Sequence, residues 1–207
     1  MKDNSQKQTM YLNWAESMLY TPQARKINEL GSLFPAKAGR DGANCPQASR
    51  ISQLIDLLRH EDWGVRQNAA KQLGEVANKR AVAELIKTLH DDRDSFVRYR
   101  AAEALGKIAN KRAVGALINA LCDPDLFVRR TAAEALGKIK DPRSIKPLLS
   151  KITESEDYSV AEAAAEALGN IGDQRVLPEL ERVARENFEA NHKAQGAIEK
   201  IKTRPLN

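Results

Sequence analysis

Apolar residues between positions 50 and 202 recur three and four places apart, which is the spacing of one face of an α-helix. In residues 81–91 these positions are Val82, Leu85, Ile86 and Leu89. In residues 96–108 they are Val97, Ala101, Ala104, Leu105 and Ile108. A polar turn separates the two segments, and the pattern restarts after "NKR" or "DPR". The pattern therefore predicts hairpins of two amphipathic helices.

The sequence of this hairpin is repeated several times along the chain. The segment "AAEALGKI" occurs at 101–108 and 132–139, with looser copies "AAKQLGEV" at 69–76 and "AAEALGNI" at 164–171. The glycines of these copies follow one another at steps of 32, 31 and 32 residues. Valine, aspartate and arginine columns keep the same step: Val65, Val97, Val128 and Val160; Asp62, Asp94, Asp125 and Asp157; Arg80, Arg112, Arg143 and Arg175. Such a period indicates a repeat protein.

A single hairpin of this kind cannot bury both of its faces, whereas stacked hairpins can. We therefore predict an all-α fold, a short right-handed α-solenoid with helical caps at both ends. "AAEALGKI" is assigned to the inner helix of each unit, where small alanines allow close helix packing. The repeated glycine either makes room for a neighbouring backbone or ends the helix, and the sequence leaves both roles open.

The remaining segments divide the chain into regions. "TMYLNWAESMLY" and "TPQARKINELG" predict a helical N-terminal cap over residues 1–34, and "PAKAGRDGANCPQ" predicts a linker or loop over 35–47. The repeat array is predicted to span 48–202 in about five units. In its last unit Glu199 replaces the glycine, as expected of a cap, and 203–207 form a tail.

The stretch "DSFVRYRAAEALGKIANKRAVGALINAL" resembles the short HEAT-like repeat of the type named after phycobilisome lyases, and the resemblance covers roughly residues 50–202. It implies one of two groups of proteins that act on phycobiliproteins. The E/F-type lyase subunits attach a bilin to a cysteine and carry an inner helix resembling "YYAAWWLG". Here the matching segment is "VRYRAAEALG", with alanines and glutamate in place of the tryptophans. The chain therefore resembles most the NblB-type phycobilisome-degradation proteins.

Composition narrows the setting of the protein. The net charge is only +5 over 207 residues. The sequence contains no run of 18 apolar residues, so it predicts no membrane span. The polar start "MKDNSQKQTM" lacks the apolar core of a signal peptide. The two cysteines, Cys45 and Cys122, are far apart in sequence. Together these features predict a cytoplasmic protein with free thiols.

Motifs for catalysis are missing from the sequence. It contains no G-x-x-x-x-G-K-[ST] or G-x-G-x-x-G phosphate loop and no G-x-S-x-G nucleophile elbow. The three histidines, His60, His90 and His192, have no cluster of cysteines or carboxylates at metal-ligand spacing. We therefore predict no catalytic residues, no metal and no resident cofactor. The resemblance leaves room for a phycobilin bound transiently, with Cys45 in "GANCPQ" as a candidate reactive thiol.

The exposed side of the inner helices is predicted to line a concave face of balanced charge. Its cations are Lys71, Arg100, Lys107, Arg130 and Lys138, and its anions are Glu75, Glu103, Glu134, Glu162 and Glu166. HEAT-like alkylpurine DNA glycosylases use a basic concave face, so this balance argues against nucleic acid and favours a protein partner. The predicted partner-binding residues are Gln67, Tyr99, Glu103, Arg130, Glu134 and Glu162.

Three further columns have both a structural and a functional interpretation. An aromatic rim, Trp63, Phe96, Phe127 and Tyr158, is either inter-repeat core or an apolar binding strip. The pairs Asp62/Arg66, Asp94/Arg98 and Asp125/Arg129 are interpreted as a structural ladder between repeats, rather than a catalytic set. The column Arg80, Arg112, Arg143 and Arg175 either covers the turns or forms a basic ridge for phosphate or an acidic protein.

From these features we expect a non-catalytic protein that binds phycobiliproteins through its concave face and assists phycobilisome disassembly or bilin handling. Two alternatives remain, a subunit of the phycobilin lyase type and a general HEAT-repeat scaffold. The lyase type is the enzyme class that the resemblance implies, and it would need a pocket for an open-chain tetrapyrrole.

Overall fold

The computed structural model describes residues 46–154, 157–186 and 188–203, and these contain helices and turns but no strand. The α-helices are α1 (Pro46–Leu57), α2 (Trp63–Val76), α3 (Val82–Asp91), α4 (Ser95–Ile108), α5 (Val114–Ala120), α6 (Leu126–Ile139), α7 (Ile145–Glu154), α8 (Tyr158–Ile171), α9 (Leu177–Glu186) and α10 (Phe188–Lys202). Short 3-10 turns precede α3, α5, α7 and α9 at Lys79–Ala81, Lys111–Ala113, Pro142–Ser144 and Gln174–Val176. The predicted N-terminal cap (1–34) and Cys45 lie outside the described residues.

The helices form two rows, which confirms the α-solenoid. The inner row contains α2, α4, α6, α8 and α10, each packed against the next. The outer row contains α1, α3, α5, α7 and α9, and each outer helix packs against the inner helix that follows it. The core between the rows holds one fully buried leucine in each of the first four inner helices: Leu73, Leu105, Leu136 and Leu168. Each hairpin thus buries one side against its own partner helix and the other against its neighbour.

The repeated glycine is the point of closest approach between inner helices. A Cβ on Gly106 would lie 2.9 Å from the Ala135 Cβ of α6, and one on Gly137 would lie 2.7 Å from the Ala167 Cα of α8. These distances are too short for real carbon contacts, so only glycine allows the two backbones to meet. Helix α4 continues for two residues beyond Gly106. The glycine therefore makes room for the neighbouring backbone and does not end the helix.

The outer helices are spaced more widely than the inner ones. A groove of about 620 Å³ separates α3 from α5, and one of about 710 Å³ separates α7 from α9. Alanine and glycine bring the inner row together, whereas bulkier residues such as Ile86 and Leu149 line the outer grooves. Since one row is closer together than the other, the stack curves and the inner helices line its concave side.

The first three inner helices begin with a capping aspartate, whereas the Asp157 side chain makes no such cap for α8. The N-caps are aspartates: the Asp94 carboxylate accepts hydrogen bonds from the backbone N–H of Phe96 and Val97, and Asp125 does the same for α6. The residue after the last helical turn has a left-handed conformation in all four repeats, at Ala77, Ala109, Lys140 and Gly172.

The last hairpin differs from the others at the glycine column. Gly169 of α8 faces the side chain of Lys200, where the earlier glycines face an alanine of the next helix. The polar side chain ends the series of close backbone contacts. Ala194, Ala197 and Ile201 of α10 are still buried against the array. Helices α9 and α10 therefore cover the C-terminal end of the core.

Candidate functional site

The concave face is built from equivalent positions of successive inner helices. The residue five places after each N-cap aspartate is Gln67, Tyr99, Arg130 or Glu162. The first three are partly buried and Glu162 is exposed. The structure therefore brings the predicted partner-binding residues to one face, with a phenol and a guanidinium at its centre.

In the second repeat the concave face carries a linked cluster of side chains. The Arg100 guanidinium lies over the Tyr99 ring, 5.1 Å from its centroid, and donates from Nη1 to Glu103 at 2.9 Å. Lys107 lies 2.8 Å from the other Glu103 oxygen. Burial raises the pKa of Tyr99, so its hydroxyl stays protonated and can donate to an incoming acceptor.

Glu103 balances two opposite effects. Burial raises the pKa of its carboxyl group, but hydrogen bonds from Lys107 and Arg100 outweigh burial and leave the pKa lowered. Glu103 is therefore ionised at neutral pH and accepts from two cations. Arg100 is held at one end only, because its buried Nε has no hydrogen-bond partner among the described residues.

The third repeat continues the face with a simpler pair. Arg130 donates from Nε to Glu134 at 2.9 Å, and both side chains are 38% exposed. The charge of Glu134 contributes to raising the pKa of Tyr99, which places the third repeat within electrostatic reach of the second. An exposed pair of this kind contributes about 0.3 kcal/mol, so a partner can displace it at small cost.

The arginines repeated at the start of the inner helices form a ladder of ion pairs, but with different aspartates from those expected. Arg66 pairs with Asp92 at 2.7 Å, and Arg98 pairs with Asp123 at 2.8 Å. Arg129 pairs with Asp157. Each arginine thus reaches the turn of the following repeat, 25 to 28 residues ahead.

The aspartate four residues before each arginine is engaged elsewhere. Asp62 and Asp94 accept hydrogen bonds from backbone N–H groups at the starts of α2 and α4, which uses the carboxylate as an N-cap. The true partners, Asp92 and Asp123, also accept from the backbone N–H of the next N-cap aspartate. The Asp-x-Asp spacing at 92–94 and 123–125 is the signal in the sequence that could have identified them.

The aromatic rim lies at the N-terminal ends of the inner helices. The Trp63 and Phe96 ring centroids are 6.2 Å apart with a tilt of 37°, and both side chains are partly buried. Phe127 is partly buried as well, whereas Tyr158 is 59% exposed with the Lys193 amine 4.0 Å from its ring centroid. The first three rings therefore contribute to packing between repeats, and Tyr158 remains accessible.

The arginines of the 3-10 turns cover their own turns in only half of the repeats. Arg143 pairs with Asp141 and donates to the Lys111 carbonyl of the preceding turn at 3.0 Å. Arg175 pairs with Asp173. In the first two repeats the corresponding cap residues are Asn78 and Asn110, which accept hydrogen bonds from the backbone N–H of Arg80 and Arg112 but have no carboxylate to pair with the guanidinium.

Within residues 46–154, 157–186 and 188–203, no group of three or more His, Cys, Asp or Glu side chains is arranged to hold a metal ion. None of the helices in these ranges is long and apolar enough to cross a membrane. Cys122 is a free, exposed thiol, and its sulfur lies 3.5 Å from the Lys151 amine.

A family model described as HEAT repeats matches residues 36–106, 83–155 and 144–199. A chain in the structure of the complex of CpcE and CpcF of phycocyanin lyase from Nostoc sp. PCC7120 is 30% identical, with a TM-score of 0.60; the match covers 83% of this chain and 70% of that one. No curated protein matches.

Two other solved structures illustrate how general the architecture is. An engineered protein is 28% identical with a TM-score of 0.53, over 76% of this chain and 81% of that one. Human deoxyhypusine hydroxylase is 19% identical with a TM-score of 0.54, over 76% and 75% of the two chains, a likeness of fold alone. Fold likeness therefore does not separate engineered, enzymatic and lyase-associated proteins.

Proposed function

Because the chain belongs to the HEAT-repeat family and is similar to a chain of the phycocyanin lyase complex, we propose that it is a non-catalytic scaffold that binds a phycobiliprotein on its concave face. Bound there, it assists phycobilisome disassembly or the handling of the bilin. The likeness to the lyase complex suggests the class of partner, and the concave face suggests where the partner binds.

The observation that carries this proposal is the cluster around Tyr99 on the concave face. Its ring is partly buried against the core and supports the Arg100 guanidinium, so both groups are held in place before a partner arrives. Tyrosine and arginine are the residue types that contribute most often to binding hot spots. Arg130 of the next repeat adds a second guanidinium, and its ion pair with Glu134 is half-exposed and therefore weak.

Binding is tested with purified phycocyanin and the double variant Tyr99→Ala, Arg130→Ala. The affinity should fall at least about tenfold, which corresponds to about 1.4 kcal/mol of lost binding free energy. The matched control is Lys87→Ala, Asn119→Ala, which removes two exposed side chains from outer helices α3 and α5. If the concave variant stays folded and binds as tightly as the parent, the concave face is not the binding site.

The likeness to phycocyanin lyase also favours a second candidate, a subunit that takes part in attaching or detaching a phycobilin. This function requires the chain to take up a free bilin, with Cys45 as the candidate thiol, whereas the scaffold requires only the protein partner. Mixing the chain with phycocyanobilin and following visible absorbance, with and without apo-phycocyanin, separates the two. A coloured complex with the chain alone, or coloured phycocyanin formed only in its presence, would favour the lyase type.

A further inference from the structure

The edge of the solenoid where inner helices end carries a cluster of cations in its first three turns. Lys79 and Arg80 lie in the turn before α3, Lys111 and Arg112 in the turn before α5, and Lys140 at the end of α6. All five side chains are exposed, and no carboxylate among the described residues pairs with them. We call these five residues the basic edge.

Neighbouring turns lie side by side along this edge. The Arg143 guanidinium of the third turn donates to the Lys111 carbonyl of the second at 3.0 Å. The charge of Lys111 also contributes to lowering the pKa of Asp141 in the third turn. The second and third turns are therefore adjacent, and the regular stacking of the repeats places the first turn next in the same row.

Two differences separate the first two turns from the last two: Lys79 and Lys111 are replaced by Pro142 and Gln174, and the cap residue changes. The four turns are capped identically, by a side-chain oxygen that accepts from the backbone N–H two residues later at 2.9 to 3.0 Å. The cap is asparagine in the first two turns and aspartate in the last two. Asn and Asp are about equally good caps, so capping alone does not require the difference. The asparagines leave Arg80 and Arg112 without the carboxylates that Arg143 and Arg175 have.

We propose that the basic edge is a second docking surface, which binds an acidic segment of a protein partner. Five exposed cations in a narrow strip match the carboxylates of an extended acidic peptide. Nucleic acid fits less well, because none of the described residues in these turns is an aromatic that could stack on a base, and the adjoining concave face carries exposed Glu75. This surface is separate from the Tyr99 cluster, so the two sites can be tested independently.

Basic residues at helix C-termini also have a purely structural use, since they complement the helix dipole. Exchanging asparagine and aspartate at the cap positions of the turns distinguishes the docking role from the structural one. The variant Asn78→Asp, Asn110→Asp keeps both caps and both arginines but supplies each arginine with a carboxylate, as in the third and fourth turns. The reverse variant, Asp141→Asn, Asp173→Asn, releases Arg143 and Arg175 and extends the basic edge.

The probe is a fluorescent peptide of alternating Asp and Glu, with an Asn-Gln peptide of equal length as the neutral control. Anisotropy titrations are run at low salt, where the Debye screening length is about 30 Å and attraction between surface charges is strong. They are repeated at physiological salt, where the Debye length is about 8 Å and this attraction is weaker. The parent should bind the acidic peptide and not the neutral one. The Asn→Asp pair should weaken binding about tenfold, and the Asp→Asn pair should tighten it about threefold.

Melting temperatures of both variants check that the fold is kept, and Lys111→Gln, Arg112→Gln provides a second route to the same loss of binding. The proposal is overturned if the Asn→Asp pair binds the acidic peptide like the parent, or if the acidic peptide binds no better than the neutral one. It is also overturned if duplex DNA of matched charge binds more tightly than the peptide and is lost in the same variants, since the edge would then be a nucleic-acid site.

Discussion

The Arg98 guanidinium of α4 donates two hydrogen bonds, each 2.8 Å long, to the Asp123 carboxylate in the turn before α6. The two side chains are only 12% and 9% exposed. A third bond, from Nη1 to the Asp92 carbonyl at 2.9 Å, ties the same guanidinium to its own turn. Arg98 therefore joins two repeats through one rigid group, which lysine could not do with the same geometry.

Removing one member of this pair should leave a buried charge without its partner. We expect Asp123→Ala to lower the free energy of unfolding by about 3 kcal/mol or more. Arg130→Ala, which breaks the half-exposed pair with Glu134, is the matched control and should cost less than about 1 kcal/mol. Urea unfolding followed by circular dichroism measures both. Equal small losses in the two variants would mean that the ladder contributes little to cohesion between repeats.

Close packing of the inner helices leads to a second prediction. Gly106→Ala places a methyl group 2.9 Å from the Ala135 Cβ, so α4 and α6 must separate. We expect a loss of about 1–3 kcal/mol, the usual cost of overpacking, despite the higher helix propensity of alanine.

Gly115 provides the control for this substitution, because it lies in α5 with no atom within 4 Å of an added Cβ. Gly115→Ala should raise stability by up to about 1 kcal/mol, since only helix propensity changes. Thermal melts of the two variants should therefore shift in opposite directions. A Gly106→Ala variant as stable as the parent would contradict the close backbone contact.

The role of Gly106 shows which features of this fold could be predicted from the sequence and which could not. Period and apolar spacing predicted the helices and their stacking, because burial at 3.6-residue spacing is local information. Whether Gly106 ends α4 could not be predicted, since the deciding contact comes from Ala135 in another repeat. The partner of Arg98 was equally out of reach by local spacing: Asp94 is nearer in sequence, but the free N–H groups of α4 occupy its carboxylate.

On the concave face, too, the sequence predicted positions but not side-chain contacts. Helical spacing placed Tyr99 and Arg130 at equivalent positions, and the structure brings both to the concave face. The stacking of Arg100 on Tyr99 depends on side-chain conformations that a periodic pattern does not encode. The sequence shows that the residue two places before the turn arginine changes from asparagine at Asn110 to aspartate at Asp141. Only the cap geometry shows that this change decides whether the arginine has a carboxylate partner.

Left-handed residues at the ends of the inner helices lead to a third prediction. Ala109 has φ of 51°, a conformation that is costly for a residue with a Cβ and nearly free for glycine. Ala109→Gly should therefore raise the free energy of unfolding by up to about 1 kcal/mol. The equivalent position in the fourth repeat is already glycine, with φ of 71°, so Gly172→Ala should lower stability by a similar amount. If both changes shifted stability in the same direction, backbone strain would not be the controlling factor.

The last prediction concerns acid. A hydrogen bond from the Arg143 side chain, and a second from its backbone N–H, lower the pKa of the Asp141 carboxyl group. A pKa that is lower in the folded than in the unfolded state stabilises the fold above the unfolded value of about 3.9, and this contribution disappears as pH falls through the folded value. The parent should therefore lose stability below about pH 4 more steeply than Asp141→Asn, which keeps the cap but cannot titrate.

Urea unfolding of the two proteins between neutral pH and about pH 2 measures this difference. Parent and variant should differ most at neutral pH, and the gap should narrow steadily in acid. Arg143→Gln serves as the control, because it removes the main cause of the lowered pKa while leaving Asp141 able to titrate; its acid loss should fall between the other two. A gap between parent and Asp141→Asn that stays constant across the whole range would show that Asp141 does not contribute to acid sensitivity.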